Sequence, residues 1–139
     1  EVLYRGGGGL QITAPNGATR LLVSDASINS PAWSPDGSRI AVQVRLHDNT
    51  DIFLLDAGGN RLARLTAPAR ATSVAADNVA PAWSPDGRYL AFLSNRDGAW
   101  RLYRMNADGS NQVPLAPAAL GGIALRYDYA AERAISWSR

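Results

Sequence analysis

Pro31-Ala32-Trp33-Ser34-Pro35-Asp36-Gly37-Ser38-Arg39-Ile40-Ala41-Val42 is the most informative segment of the sequence, because most of its residues recur later in the chain. The second copy is Pro81-Ala82-Trp83-Ser84-Pro85-Asp86-Gly87-Arg88-Tyr89-Leu90-Ala91-Phe92. The residues that follow the two copies, 52–60 and 102–110, also match each other at the same offset. The chain therefore contains a repeated unit.

Each unit consists of short apolar runs separated by turn residues. Ala-Trp-Ser predicts an inner strand, with Trp33 or Trp83 filling the space between neighbouring units. Ser-Pro-Asp-Gly predicts a hairpin turn, since proline presets φ, aspartate accepts from a nearby amide and glycine takes the positive φ. A structural role is therefore expected for Trp33, Ser34, Pro35, Asp36 and Gly37, and for Trp83, Ser84, Pro85, Asp86 and Gly87. The same turn role is favoured over a catalytic carboxylate pair for the two aspartates.

Further strands are predicted after each turn, at 39–44 and 89–94, at 51–55 and 101–105, and at 61–66 and 111–115. Pro114 lies in the last of these, which suits the edge of a sheet because proline has no amide donor. Four short strands in a period of about 50 residues are typical of one β-propeller blade. The predicted fold class is all-β, with blades of four antiparallel strands and about three blade equivalents. Such a chain is half of a six-bladed ring or a fragment of a larger propeller.

The predicted divisions are a split N-terminal blade at 1–30, blades at 31–80 and 81–120, and degenerate strands at 121–139 that complete a split blade. In the first division, residues 10–17 align with 102–109 and predict a third strand with its turn. In the last division, two alignments remain open. Tyr127 stands in the place of the tryptophan, or Ile135-Ser136-Trp137-Ser138 forms the first strand. Because a ring needs at least about four blades, either the chain is part of a longer propeller or a homodimer completes a six-bladed ring.

The motif at 31–42, followed by Asp-Ile-Phe-Leu-Leu-Asp-Ala-Gly-Gly-Asn at 51–60 and Leu-Thr at 65–66, resembles the WD-like repeats of the TolB-like β-propeller family. The resemblance covers 31–115 strongly and the two ends weakly. It implies an extracytoplasmic scaffold (periplasmic, secreted or at the cell surface) that binds protein or peptide. The same repeats also form the non-catalytic, gating propeller of prolyl-oligopeptidase-like serine peptidases. The alternative implication is a segment of such a propeller, whose catalytic domain lies outside this chain.

The composition agrees with an all-β domain. The hydrophobic share of 46% contains no run long enough for a membrane span. Cysteine is absent, which excludes disulfides and thiolate sites. The first residue is Glu1 rather than methionine, from which we expect that a leader or an upstream region was removed.

The basic residues number 14 and all are arginine, although the net charge is only +2. Arg61, Arg64, Arg101 and Arg104 fall at strand spacing and could form a ladder across a blade face. Acidic residues are interleaved with the arginines, however, and no stacking motif of single-strand binders is present. A solvated outer face is therefore predicted, with no nucleic-acid partner.

No catalytic constellation is visible, because the chain lacks a Gly-x-Ser-x-Gly motif and its one histidine, His47, lies in a polar loop. We expect no enzyme activity and no cofactor. Asp48, Asn49 and Asp51 offer oxygen ligands to a hard cation, but the spacing lacks the glycine and distal glutamate of an EF-hand. They are weak metal candidates, and an ordinary hairpin loop is favoured.

Three aromatic residues are candidate partner contacts: Trp100, Tyr103 and Tyr127. Covering the edge of a blade is an equally good role for Trp100. The long connections at 67–79 and 117–123 are predicted to lie on one rim of the propeller, where binding residues are usually found. The sequences of these connections do not predict a particular ligand.

Overall fold

The computed structural model describes residues 1–67, 75–115 and 135. Within these ranges the strands are β1 (Val2–Gly6), β2 (Gly9–Thr13), β3 (Thr19–Val23), β4 (Ile28–Trp33), β5 (Arg39–Arg45), β6 (Thr50–Asp56), β7 (Arg61–Arg64), β8 (Asn78–Trp83), β9 (Tyr89–Ser94), β10 (Arg101–Asn106) and β11 (Val113–Pro114). No helix of the described part has the length and apolar character that crossing a membrane would need.

The strands form three antiparallel sheets, each a simple meander. Blade 1 has the order β1-β2-β3, blade 2 has β4-β5-β6-β7, and blade 3 has β8-β9-β10-β11. The predicted fold class is confirmed, since the chain is all-β and blades 2 and 3 each have four antiparallel strands. In blade 3, Pro114 lies in the edge strand, where the missing amide breaks no ladder.

Burial follows the position of each strand in its blade. The middle strands β5, β6 and β9 are almost wholly buried, as their apolar runs predict for a sheet covered on both faces. The outer strand β7 is exposed along its whole length. In the described part, the blades therefore pack face to face, and the outer edge of blade 2 is exposed to solvent.

The strand pairing shifts the predicted divisions by a few residues. Ile28 already pairs with β5, and Asn78 already pairs with β9, so the inner strands begin before the boundaries placed after residues 30 and 80. The sequence pattern did not predict these strand starts, because each inner strand contains a β-bulge. Ser30 and Ala80 have φ values of 46° and 54° there, and the residues on either side are out of simple register. The degenerate strands predicted at 121–139 lie outside the described residues, apart from Ile135.

The core lies between the blades. One apolar cluster joins blades 1 and 2 through residues such as Leu10 and Phe53, and Trp33 packs against it. A second cluster joins blades 2 and 3 and includes Trp83 and Phe92. Each fully buried large apolar side chain contributes about 1.5–3 kcal/mol. The predicted position of the tryptophans between neighbouring units is confirmed.

Candidate functional site

The two Ser-Pro-Asp-Gly segments form matching turns. Ser34 Oγ donates to Asp36 Oδ1 at 2.6 Å, and the Gly37 amide donates to the Ser34 carbonyl at 2.9 Å. The second turn repeats both bonds at the same distances, from Ser84 to Asp86 and from the Gly87 amide. The serine hydroxyl, followed by a backbone amide, lowers the pKa of each aspartate to about 2. Both carboxylates are therefore committed to their own turns, and they do not form a catalytic pair.

The opposite end of β5 carries a rim of polar loops from blades 2 and 3. We define the rim as residues 46–49, 75–77 and 95–99. Thr50 N donates to Asp77 Oδ1 at 2.8 Å, and Asp77 N donates to Asn95 Oδ1 at 2.8 Å. Asn49 Nδ2 also donates to the Ala76 carbonyl at 3.2 Å. The three parts of the rim are thus held to one another by side-chain hydrogen bonds.

The tip of the first rim loop projects into solvent. His47 and Asp48 are 98% and 73% exposed, and His47 Nε2 lies 3.5 Å from Asp48 Oδ1. The tip is therefore open to solvent, on a loop whose base is hydrogen-bonded to the rest of the rim.

Asp51 lies directly behind the rim and is fully buried. Its Oδ1 accepts from Thr66 Oγ1 at 2.7 Å and from Asn78 Nδ2 at 2.8 Å. Its Oδ2 accepts from Arg64 Nε at 2.9 Å and from Asn49 Nδ2 at 3.0 Å, and Arg64 also forms an ion pair with it. Both carboxylate oxygens are therefore occupied, by donors from the strands β7 and β8 and from the connections that contain Asn49 and Thr66.

The three metal candidates are not brought together as a ligand set. Asp48 points into solvent, whereas Asp51 is committed to the donors around it. Among the described residues, no group of three or more His, Asp or Glu side chains could hold a metal ion. The role that the structure gives Asp51 is to tie blade 2 to blade 3 through Asn78.

Arg96 continues this network into blade 3. Its guanidinium donates to Asn78 Oδ1 and to Gln112 Oε1, both at 2.8 Å. It also stacks over the Tyr103 ring, with 4.5 Å between the guanidinium carbon and the ring centroid. Burial lowers the pKa of Arg96. Asn78 therefore joins Asp51 and Arg96 into one polar network between the blades.

The candidate aromatic contacts have different positions. Tyr103 is buried in the core between blades 2 and 3, where it stacks on Phe92 and donates to Asp97. Burial, followed by this hydrogen bond, raises the pKa of Tyr103. A core position does not suit an exposed partner contact. Trp100 is partly buried against the cluster of Val79, Ala80 and Leu93, which matches the role of covering a blade edge. Tyr127 lies outside the described residues.

The four arginines at strand spacing do not form a ladder. Arg61 bonds to Asp25 at 2.8 Å, Arg64 bonds to Asp51, and Arg104 lies over the Tyr89 ring. Arg101 is exposed at the start of β10. Their charges are thus spread over separate contacts, in different blades.

Neither Asn78 nor Arg96 was singled out from the sequence. The available signal was the departure from the repeat, since Asp51 occupies the place that Arg101 takes in the next unit. A buried carboxylate that appears in one copy requires a compensating donor nearby.

Antiparallel sheets stacked face to face, each built from the same repeated unit, define a β-propeller segment. The chain belongs to the family whose model is described as the TolB beta propeller domain, which matches residues 12–119.

Solved structures with similar folds include two TolB chains. TolB from Acinetobacter baumannii is 27% identical, with a TM-score of 0.60, and the match covers 77% of this chain and 26% of that one. A putative TolB from Agrobacterium tumefaciens is also 27% identical, with a TM-score of 0.63, and the match covers 77% of this chain and 37% of that one. The match thus spans 26% to 37% of the length of these relatives.

A peptidase structure also has a similar fold. The puromycin-hydrolyzing peptidase of Mycobacterium tuberculosis is 26% identical, with a TM-score of 0.56, and the match covers 74% of this chain and 16% of that one.

Proposed function

We propose that this chain is a non-catalytic β-propeller segment that binds protein or peptide through its rim, in an extracytoplasmic compartment. The observation that carries the proposal is the hydrogen bonding of the rim loops to one another through Asp77 and Asn49. A surface whose backbone is fixed before binding loses less conformational entropy when a partner docks. The compartment is proposed from the family resemblance.

The network behind the rim supports the same proposal. Beneath the loops, blades 2 and 3 are connected through Asp51, Asn78 and Arg96. The rim loops of blade 2 and those of blade 3 therefore keep a fixed position relative to each other. The exposed tip at His47 and Asp48 then presents a donor, an acceptor and a charge from a fixed base. Hydrogen-bonding groups of this kind suit the backbone and polar side chains of an extended peptide.

The test is selection of peptides from a displayed random library on the immobilised chain, followed by calorimetric titration of the selected peptides. We expect the double variant His47→Ala, Asp48→Ala to weaken binding by about tenfold or more. Arg88→Ala is the matched control, because Arg88 is also exposed but lies on a turn at the other end of the strands. Equal binding by the double variant, or equal loss in the control, would contradict the proposal.

A second candidate function is a segment of the gating propeller of a serine peptidase. The observation in its favour is the structural match to the mycobacterial peptidase. The discriminating test is the sequence of the encoding gene beyond Arg139. An α/β-hydrolase region with a Gly-x-Ser-x-Gly motif there would support this candidate, and an open reading frame that lacks one would exclude it.

A further inference from the structure

The turn between β2 and β3 contains the single Asn–Gly pair of the sequence, Asn16-Gly17. Ala14 N donates to the Ala18 carbonyl, and Gly17 N donates to the Ala14 carbonyl, both at 2.9 Å. Gly17 has a φ of 83°, which glycine adopts without strain. The Asn–Gly pair is therefore held in a turn of defined geometry.

Blade 3 contains the same turn between β10 and β11. Asn106 N donates to the Ser110 carbonyl, and Gly109 N donates to the Asn106 carbonyl, again both at 2.9 Å. Gly109 has a φ of 88°. The repeat offset places Asp108 of this turn in the position of Asn16. The same backbone geometry therefore accommodates either an asparagine or an aspartate.

The side chains of Asn16 and Asp108 make the same contact with the backbone. Ala18 N donates to Asn16 Oδ1 at 3.0 Å. Ser110 N donates to Asp108 Oδ1 at 2.9 Å. The pKa of Asp108 is lowered, first by the Ser110 hydroxyl and then by this amide. An aspartate at position 16 would keep the amide bond and strengthen it through its charge.

The surroundings of Asn16 favour deamidation. In this reaction the backbone nitrogen of the next residue attacks the side-chain amide carbon, and a glycine in that place has no side chain to hinder the ring that forms. The Ala18 amide polarises the attacked carbonyl and stabilises the negative charge that develops on its oxygen. Asn16 and Gly17 are exposed to water, and an added Cβ at Gly17 would meet no atom within 4 Å.

The leaving group of Asn16 is also free. Its Nδ2 has no hydrogen-bond partner among the described residues. Five other asparagines donate their side-chain nitrogen to an oxygen of the protein: Asn29, Asn49, Asn60, Asn78 and Asn106. The residue after each of these five carries a side chain. Asn16 therefore combines an unheld leaving group with an unhindered attacking nitrogen.

One contact opposes the reaction. Gly17 N is the attacking atom, and its hydrogen bond to the Ala14 carbonyl has to open first. The turn is exposed, and exposed backbone hydrogen bonds in turns open at a small cost in free energy. The attack is therefore expected from a transiently opened turn.

We propose that Asn16 is a site of spontaneous deamidation, favoured by its open turn. Gly17 N loses its proton to solvent base and bonds to Asn16 Cγ, the bond from Cγ to Nδ2 breaks, and Nδ2 leaves as ammonia. Water then opens the succinimide ring at one of its two carbonyls, which gives aspartate or isoaspartate. A neutral amide becomes a carboxylate, so the net charge becomes less positive. The aspartate product keeps the turn seen at Asp108, whereas isoaspartate lengthens the main chain within it.

The site is separate from the rim. The turn between β2 and β3 corresponds to the turn between β10 and β11, whereas the rim contains the turn between β9 and β10 at the other end of the strands. Deamidation is therefore independent of the binding proposed for the rim, and neither experiment decides the other.

Mass spectrometry of tryptic peptides tests the site. Trypsin cleaves after Arg5 and Arg20, and the peptide 6–20 contains Asn16. After incubation of the intact protein in mildly alkaline buffer, we expect a mass gain of about 1 Da in this peptide. The gain should be faster at higher pH, because the attacking nitrogen has to lose a proton. Peptides that contain the other asparagines should keep their mass over the same period.

Two variants serve as controls. Asn16→Asp has no amide to lose at this position, so its peptide 6–20 should keep its mass, and its melting temperature should match that of the wild type. Asp108→Asn places an Asn–Gly pair in the same turn of blade 3, where an added Cβ at Gly109 would lie 3.0 Å from the Leu65 carbonyl oxygen. Because this packed turn opens less readily, we expect deamidation there to be slower than at Asn16 by about tenfold or more.

The absence of a mass gain in the peptide 6–20 would overturn the proposal, as would an equal gain at the other asparagines. A gain that persists in Asn16→Asp would assign the reaction to Gln11 and would also overturn it. Equal rates at Asn16 and in Asp108→Asn would contradict the role of the open turn.

Discussion

Replacing Asp51 with alanine removes the centre of the network that joins blades 2 and 3. The carboxylate is fully buried and accepts from Thr66, Asn78, Asn49 and Arg64. Removing one partner of a buried ion pair costs about 3–5 kcal/mol, because the remaining groups stay desolvated. Arg64 is 36% exposed and can regain some hydration, so we expect a loss near the lower limit, about 3 kcal/mol.

The assay is urea unfolding followed by tryptophan fluorescence, which reports on the buried Trp83. A loss of about 3 kcal/mol corresponds to a midpoint shift of about 1–2 M urea, at the slopes usual for small domains. The melting temperature should fall by about 10 °C.

Asp48→Ala is the matched control, since it removes an exposed carboxylate from the loop that precedes the strand of Asp51. We expect the control to lie within about 0.5 kcal/mol of the wild type. A loss below about 1 kcal/mol for Asp51→Ala, or one equal to the control, would refute the account of the network.

Three further predictions concern the turns and the blade contacts. Gly37→Ala should lower the free energy of unfolding by about 1 kcal/mol, because φ at this position is +70°, although no atom lies in the way of a methyl group. The control is Gly7→Ala, which also has open space but no positive φ, and it should leave the free energy of unfolding unchanged. Trp83→Phe loses the indole hydrogen bond to the neighbouring blade, at 3.0 Å, and should cost about 1 kcal/mol in urea unfolding beyond the lost contact area. Asp36 and Asp86 have folded pKa values of about 2 against 3.8, so their contribution to stability is complete above pH 3.8 and is lost as pH falls toward 2. Replacing both with asparagine should make the acid branch of a pH-dependent melting curve less steep, and an unchanged branch would contradict the assignment.

The repeat allowed the blades and their turns to be predicted because both depend on residues that are close in sequence. Ser34, Asp36 and Gly37 build their turn from bonds that span two or three positions. The strand starts at Ile28 and Asn78 were missed, since the bulges at Ser30 and Ala80 interrupt the alternation that marks a strand.

The polar network could not be predicted in the same way. Asp51 meets Thr66, Asn78 and Arg64 only after three strands from two blades have come together. In sequence it was simply an acidic residue near Asp48 and Asn49, which is why a weak metal site was considered. Tyr103 was proposed as a surface contact because its strand position does not reveal that blade 2 covers it.

The most direct test of how these blades are completed is the molar mass in solution, measured by light scattering behind size exclusion over a range of concentrations. The homodimer that the number of blades allows predicts a mass near twice the 14.8 kDa of one chain. A well-folded monomer at all concentrations would contradict the homodimer.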